Sequence, residues 1–293
     1  MDLRPPVAFP GRPRDAHKTS VGTVLVVAGS RGMVGAALLT GEAALRAGAG
    51  LVTVASPASA QRALEVKTTC LVTRPLPETS RGALARSALN EVLALAARVD
   101  ALAVGPGLSR DDEAVDVVRG LVAALPPGPR VVLDADALNA FEGRPDDLRA
   151  LAGRAVLTPH PGEFARLTGE RPDPARRRPA LEAFVARVGV ATLLKGAGTL
   201  VGAPRPGGGL DLYENTTGNP GMATAGAGDV LTGVIAALLA AGLGPLDAAC
   251  LGAWLHGRAG DLVARRTGWA PLIATDLLDG LIEAIRNVER RDA

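Results

Sequence analysis

Aromatic side chains are scarce in this 293-residue chain: two tryptophans, one tyrosine and four phenylalanines. So few provide no platform on which nucleic-acid bases could stack, and a formal net charge of +2 provides no basic surface. Nucleic-acid binding is excluded on both counts. Cysteine is nearly absent; Cys70 and Cys250 stand far apart in apolar contexts and are expected as buried free thiols of a reducing compartment. With only three histidines beside them, no metal-ligand spacing exists among His and Cys. No apolar run reaches the roughly 20 residues of a membrane span. The longest, 230–243, is bracketed by Asp229 and Asp247. The N-terminus has no apolar signal core, so a cytoplasmic protein without membrane contact is expected. Lysine is scarce as well, confined to Lys18, Lys67 and Lys195. No G-x-x-x-x-G-K-[ST] occurs, which excludes a P-loop.

What the chain does have is small apolar residues. At 47% hydrophobic with so few rings, its core must be Ala, Val and Leu in close contact, as where helices lie on a parallel sheet. Residues 1–18, rich in Pro, Arg and Gly, are expected as a loose arm, and 19–293 as one domain without internal repeat or linker. Short apolar runs at 23–28, 51–55, 101–104, 131–133, 155–158 and 191–194 predict buried strands. Helical patterns predict helices over 36–47, 82–97, 112–124, 161–167 and 174–188, then a helical tail over 229–240, 245–266 and 274–290. A Gly/Pro turn at 202–209 predicts a hairpin between 199–201 and 210–213. Strand and helix alternating in this way predict an α/β fold with a doubly wound, mostly parallel central sheet flanked by helices.

The densest chemical signal is the run 218–233, in which Gly226-Ala227-Gly228 leads to Asp229 and then an apolar helix. Glycines let successive backbone N–H groups face one point, and a helix N-terminus adds partial positive charge there. Such a point holds phosphate. A carboxylate beside phosphate is repelled as a ligand but serves as a base for a hydroxyl attacking phosphorus. The alternative is a plain glycine turn with Asp229 as helix cap.

Five further clusters fall at predicted strand ends, where ligands collect in open α/β sheets. They are 29–32, 105–107, 134–136, 158–163 and 195–199. The 29–35 run lacks the G-x-G-x-x-G spacing and reads as a tight turn bringing the helix from Ala36 to a ligand. Gly105-Pro106-Gly107 is either a turn or a backbone surface against a flat substrate. Asp134 and Asp136 are loop acids, a cap, or holders of Mg²⁺-bound waters. His160, between two prolines at a helix start, is structural or touches substrate; Glu163 caps that helix or serves Mg²⁺. Lys195, at the tip of an apolar strand, suits nucleotide phosphates. Asn215 and Thr217 bind phosphate or shape the turn. Trp254 and His256 read as core, and Arg176–Arg178 as a solvated helix start.

Taken in order, HKTSVGTVLVVAGSRGMVGAALLTGEAALRAGAGLVTV, VGPGL, VLDADALNAF, LTPHPGEFARLTG, LLKGAGTLV and NTTGNPGMATAGAGDVLTGVIAALLA resemble the NAD(P)H-hydrate dehydratase family, a branch of the ribokinase-like kinases. The resemblance runs from about His17 to the C-terminus, and the TPHPGE and GNPGMATAGAGDVL segments are specific to this branch. It implies a ribokinase-like fold and an ADP-dependent (or ATP-dependent) enzyme that repairs NADH or NADPH hydrated on the nicotinamide ring. It implies Asp229 as catalytic base, and Ala36, Gly107, His160 and Asp229 against the hydrated dinucleotide. Lys195, Gly196, Ala197, Gly198 and Thr199, with Gly226, Ala227 and Gly228, would hold the adenine nucleotide. Asp134 and Glu163 are the Mg²⁺ positions to examine. K⁺ dependence, a homo-oligomer (often a tetramer) and a pathway partner, the NAD(P)H-hydrate epimerase, are implied by resemblance only. Some eighteen residues precede the first predicted strand, so the epimerase is expected as a separate protein or as part of a longer chain. Ala227 stands where the family often has Thr or Ser, which removes a hydroxyl and leaves the backbone donors. Two rival readings are a small-molecule kinase of the same fold, such as a hydroxyethylthiazole kinase, and a non-catalytic nucleotide-binding regulator.

Overall fold

The strand-forming runs are apolar at every position because both their faces are covered. In the computed structural model, which describes residues 5–292, alternate side chains of the first strand β1 (Thr23–Val27) enter two different cores. Val24 and Val26 face one; Leu25 and Val27 face the other. That is the period of two expected of a strand.

Six more strands run parallel: β2 (Leu51–Pro57), β3 (Val72–Leu76), β4 (Ala101–Val104), β5 (Arg130–Leu133), β6 (Ala155–Leu157) and β7 (Ala191–Leu194). β8 (Leu200–Pro204) and β9 (Leu210–Glu214) close the edge as the expected antiparallel hairpin. The order is β3-β2-β1-β4-β5-β6-β7-β8-β9, so the winding direction reverses between β1 and β4. Open α/β sheets collect their ligands beside such a reversal.

On one face lie α1 (Val34–Arg46), α2 (Ala58–Lys67), α8 (Ala227–Ala240), α9 (Pro245–Thr267) and α10 (Ala274–Asp292). On the other lie α3 (Leu89–Ala96), α4 (Asp112–Ala124), the short α5 (Asp136–Asn139), α6 (Pro161–Thr168) and α7 (Arg177–Val188). α8 is apolar all round because it is sandwiched between the sheet, α1 and α9. Its Gly233 lets α1 approach so closely that a Cβ there would sit 2.1 Å from the Thr40 carbonyl oxygen.

Three expectations need correction. The helix expected over 82–97 begins only at Leu89, after a Glu78–Leu84 bridge and a 3₁₀ turn at Arg86–Ala88. Gly82 there has φ of 75°, incompatible with a helix. α2 and β3 were not expected at all; β3 is a largely exposed edge strand carrying Pro75, with no apolar run to announce it. Cys70 is exposed in the turn before β3, and only Cys250 is buried. Residues 5–18 form no helix or strand, but Val7 and Phe9 rest against the core and Arg12 Nη2 donates to Gly48 O at 2.8 Å. The first four residues of the expected arm lie outside the described residues.

Candidate active site

The loops after β1, β4, β5, β6 and β7 and the N-terminus of α8 meet on one rim of the sheet. Gly105 makes their closeness possible. Its φ is 127°, and a Cβ would lie 1.8 Å from the Asp134 carbonyl oxygen. Next to it, Ser30 Oγ donates to Gly107 O at 2.8 Å and Gly29 N–H to Pro106 O at 2.8 Å. These bonds bring two expected residues together, since a Cβ on Gly107 would touch the Ala36 Cβ at 3.1 Å.

Across the rim, Asp134 is the buried centre of a charge cluster. Its carboxylate accepts from Lys195 Nζ at 2.7 Å and from Thr232 Oγ1 at 2.7 Å, and its side chain is 2% exposed. Lys195 Nζ also lies 3.7 Å from Glu163 Oε2. Burial works against the Lys195 ammonium, but Asp134 and Glu163 beside it outweigh burial and raise its pKa. Glu163 is raised in turn, by burial first. It belongs to a capping box: His160 N–H donates to Glu163 Oε2 at 2.7 Å, while Gly162 and Glu163 N–H donate to His160 Nδ1 at 2.9 and 3.2 Å. Since Nδ1 accepts, the imidazole proton sits on Nε2, on a ring half exposed at the rim. Burial and then the Lys195 charge hold the His160 pKa down.

Asp229 stands in the first turn of α8, three residues past the cap. The cap is Gly226, at φ of 90°, so the structure rejects Asp229 as helix cap. A Cβ on Gly228 would lie 3.4 Å from Lys195 Nζ and 3.8 Å from Asp134 Oδ2, so the glycine opens space where backbone, ammonium and carboxylates converge. Burial, and then the Asp134 charge, push the Asp229 pKa up to about 7, against the pull of Lys195. Among the described residues, no hydrogen bond engages the N–H groups of Gly228 or Asp229. They are free donors of a helix N-terminus.

The 195–199 loop reaches the same place, folded on itself by Thr199 Oγ1 donating to Gly196 O at 2.9 Å. Gly196 and Gly198 have positive φ; Ala197 O accepts from Arg177 Nη1 at 2.7 Å. Arg177 also bonds Leu194 O at 3.1 Å, so it is no solvated residue. It was hidden in a run of three arginines. Thr232, the only hydroxyl in α8, carried a usable signal: a polar residue in an otherwise apolar helix. Asn215 and Thr217 are engaged with α9, donating to Ala253 O at 3.2 Å and Trp254 O at 2.9 Å, so they shape the turn. Asp136 is tied to Ser109 N–H at 2.9 Å.

For Mg²⁺, Asp134 already accepts from Lys195 and Thr232, and Glu163 accepts from His160 N–H with Lys195 Nζ 3.7 Å away. Among the described residues no group of three His, Cys, Asp or Glu could hold a metal, so Mg²⁺ held here would take the rest of its ligands from water and phosphate.

A nine-stranded, doubly wound sheet whose rim ends in a glycine-capped helix with a carboxylate in its first turn defines the ribokinase-like class. The sequence profile of the family described as NAD(P)H-hydrate dehydratase matches residues 24–283, and the chain belongs to that family. It is 50% identical over 287 residues to the bifunctional NAD(P)H-hydrate repair enzyme of Moorella thermoacetica, covering 96% of this chain and 52% of that one. It thus spans about half the length of that relative. To the ADP-dependent (S)-NAD(P)H-hydrate dehydratase of Neisseria meningitidis serogroup B it is 38% identical, covering 96% and 88%. The ADP/ATP-dependent NAD(P)H-hydrate dehydratase of Bacillus subtilis, co-crystallised with ATP and Mg²⁺, superposes with a TM-score of 0.76 at 28% identity, covering 96% and 95%.

Proposed function

We propose that the chain is an ADP-dependent (S)-NAD(P)H-hydrate dehydratase. The carrying observation is Asp229: a carboxylate with pKa pushed up to about 7, beside unengaged N–H donors of a helix N-terminus. Asp229 takes the proton of the hydroxyl on the hydrated nicotinamide ring, and the oxygen attacks the terminal phosphorus of ADP, releasing AMP. Gly226 to Gly228 and the 195–199 loop hold the phosphates, with Lys195 meeting their charge. The ring nitrogen's electron pair then breaks the carbon–oxygen bond and expels phosphate. Loss of a proton from the neighbouring ring carbon restores the double bond. The balance is hydrate plus ADP to NADH, AMP and inorganic phosphate. Ala36, Gly107 and His160 form the dinucleotide side.

In this reading Mg²⁺ would be held between the nucleotide phosphates and the carboxylates of Asp134 and Glu163, where it would offset the phosphate charge. K⁺ dependence, homotetramer formation, a cytoplasmic setting and an epimerase as pathway partner rest on the family resemblance. Among the described residues no helix is long and apolar enough to cross a membrane. The test mixes the protein with hydrated NADH and ADP or ATP while following dihydronicotinamide absorbance and phosphate release. Both signals must rise together. A stable phosphorylated product would instead establish a small-molecule kinase, and no turnover a regulator.

A further inference from the structure

α9 lies behind residues 215–227, which lead into α8, and touches them at several points. Besides receiving Asn215 and Thr217, it offers Asp261, which accepts from Gly218 N–H and Asn219 Nδ2, both at 3.0 Å. Two glycines let the chain lie flat on the helix. A Cβ at Gly257 would sit 2.3 Å from Thr217 Oγ1, and one at Gly260 would sit 2.3 Å from Met222 Sδ. The last contact reaches α8 itself: His256 Nε2 lies 2.8 Å from Ala227 O. A carbonyl can only accept, so Nε2 carries the proton and donates. Burial depresses the His256 pKa to about 4, which keeps the ring neutral at ordinary pH.

The Ala227 carbonyl and the Gly228 N–H belong to one planar peptide and point in opposite directions. Whatever fixes the carbonyl therefore aims the N–H, and a hydrogen bond at the oxygen strengthens the donor at the nitrogen. We propose that His256 is a positioning residue of the anion hole, setting the Ala227–Gly228 peptide so that the Gly228 N–H meets the transferring phosphate. Asp261 and the two glycines hold the preceding turn in register. No substrate atom touches His256 in this scheme. The inference rests on the reading of Gly228 as a phosphate donor.

The test compares His256→Leu, which removes the donor, with His256→Gln, whose amide reaches the position of Nε2, and His256→Asn, whose amide falls short. The expected result is a loss of kcat of about tenfold or more in the Leu and Asn variants, with KM for hydrated NADH held within about twofold, and recovery of most of kcat in Gln. The Ala227 carbonyl ¹³C resonance, recorded without substrate, should shift upfield in Leu and Asn, where the carbonyl loses its donor, and stay near wild type in Gln. If all three variants lose kcat equally, if none loses it, or if the Ala227 carbonyl resonance is unchanged in Leu and Asn, the inference is overturned. Should Leu fail to fold, the Gln and Asn pair still decides. The resonance also separates the two levels: a wild type inactive on hydrated NADH sinks the proposed function, while the peptide-positioning role is still read from the Ala227 carbonyl.

Discussion

Asp229 is the residue at which stability and activity conflict. A carboxylate whose pKa rises on folding binds its proton more tightly in the native state, so this group opposes folding at pH values above its ordinary pKa. The opposition grows as pH rises from about 4 toward 7 and is constant beyond. Asp229→Asn should therefore raise stability at pH 8 by about 2 kcal/mol, after allowance for partial solvent access, as read by urea unfolding. The same variant should lose about 10²–10⁴ of turnover. Undiminished turnover would remove the proposed base. In the wild type, kcat/KM should climb with pH to a plateau, its rising limb centred near 7, where the free carboxylate becomes populated. A rate independent of pH between 5 and 9 on the order-of-unit scale of such titrations would contradict that assignment.

Lys195 and Asp134 illustrate the opposite balance. Both are drawn together at 2.7 Å with the carboxylate out of water, so losing the ammonium leaves a buried charge uncompensated. Lys195→Met should cost about 3–5 kcal/mol, measured by urea unfolding. Adding Asp134→Asn should return part of that loss. If the double variant is less stable than the single one by the full cost of a second independent site, the pair does not act as a unit. The sequence marked Lys195 and Asp134 as separate curiosities. Their pairing across 61 positions was not legible, because no local pattern states which strand ends become neighbours.

At the scale of elements, the close approach of α1 and α8 is set by one missing methyl. Gly233→Ala would drive a Cβ to 2.1 Å from the Thr40 carbonyl, and backbone on both sides prevents an easy escape. The cost should be about 1–3 kcal/mol or more from overpacking, with the two helices forced apart. Gly35, on the exposed start of α1, is the control: nothing lies within 4 Å of its missing Cβ. Gly35→Ala should be neutral or stabilise by up to about 1 kcal/mol through helix propensity. Equal thermal shifts in the two variants would mean that propensity rather than packing decides at both places. Most helices and core strands were readable because their apolar patterns are long and clean. α2, β3 and the 3₁₀ turn were not, since they sit on a half-exposed edge where the pattern weakens. Asp229, the alternative cap, lies three residues past the true cap of α8, which the sequence did not single out for a related reason. Several small residues of the run could cap the helix, and Gly226 shares its positive φ with Gly218.

For the whole molecule, strand order decides what kind of site this is. The 29–36 and 105–107 loops follow the neighbouring strands β1 and β4, whereas the 195–199 loop follows β7, three strands beyond β4, with the His160 loop after β6 between them. The rim itself was legible, because polar and glycine clusters follow predicted strands five times. The spacing of its loops was not, because that depends on the crossover order. That spacing should make the two proposed ligands separable by mutation. Gly107 has φ of 65° and faces Met33 O and the Ala36 Cβ, so Gly107→Leu crowds the start of α1 beside Ala36 and strains the turn. Neither effect reaches Lys195 or the start of α8, which are positioned from β7 and α9. ADP should therefore still stabilise Gly107→Leu by about 2.7 kcal/mol at a hundredfold excess over its Kd, as it does the wild type. KM for hydrated NADH should rise at least about tenfold, the scale of losing good fit in a binding pocket. Thermal unfolding with and without ADP, beside steady-state kinetics, tests both halves at once. A variant that loses the ADP-induced shift along with substrate affinity would show a single undivided pocket, and the proposed assignment of nucleotide and dinucleotide to separate loops of the rim would fail with it.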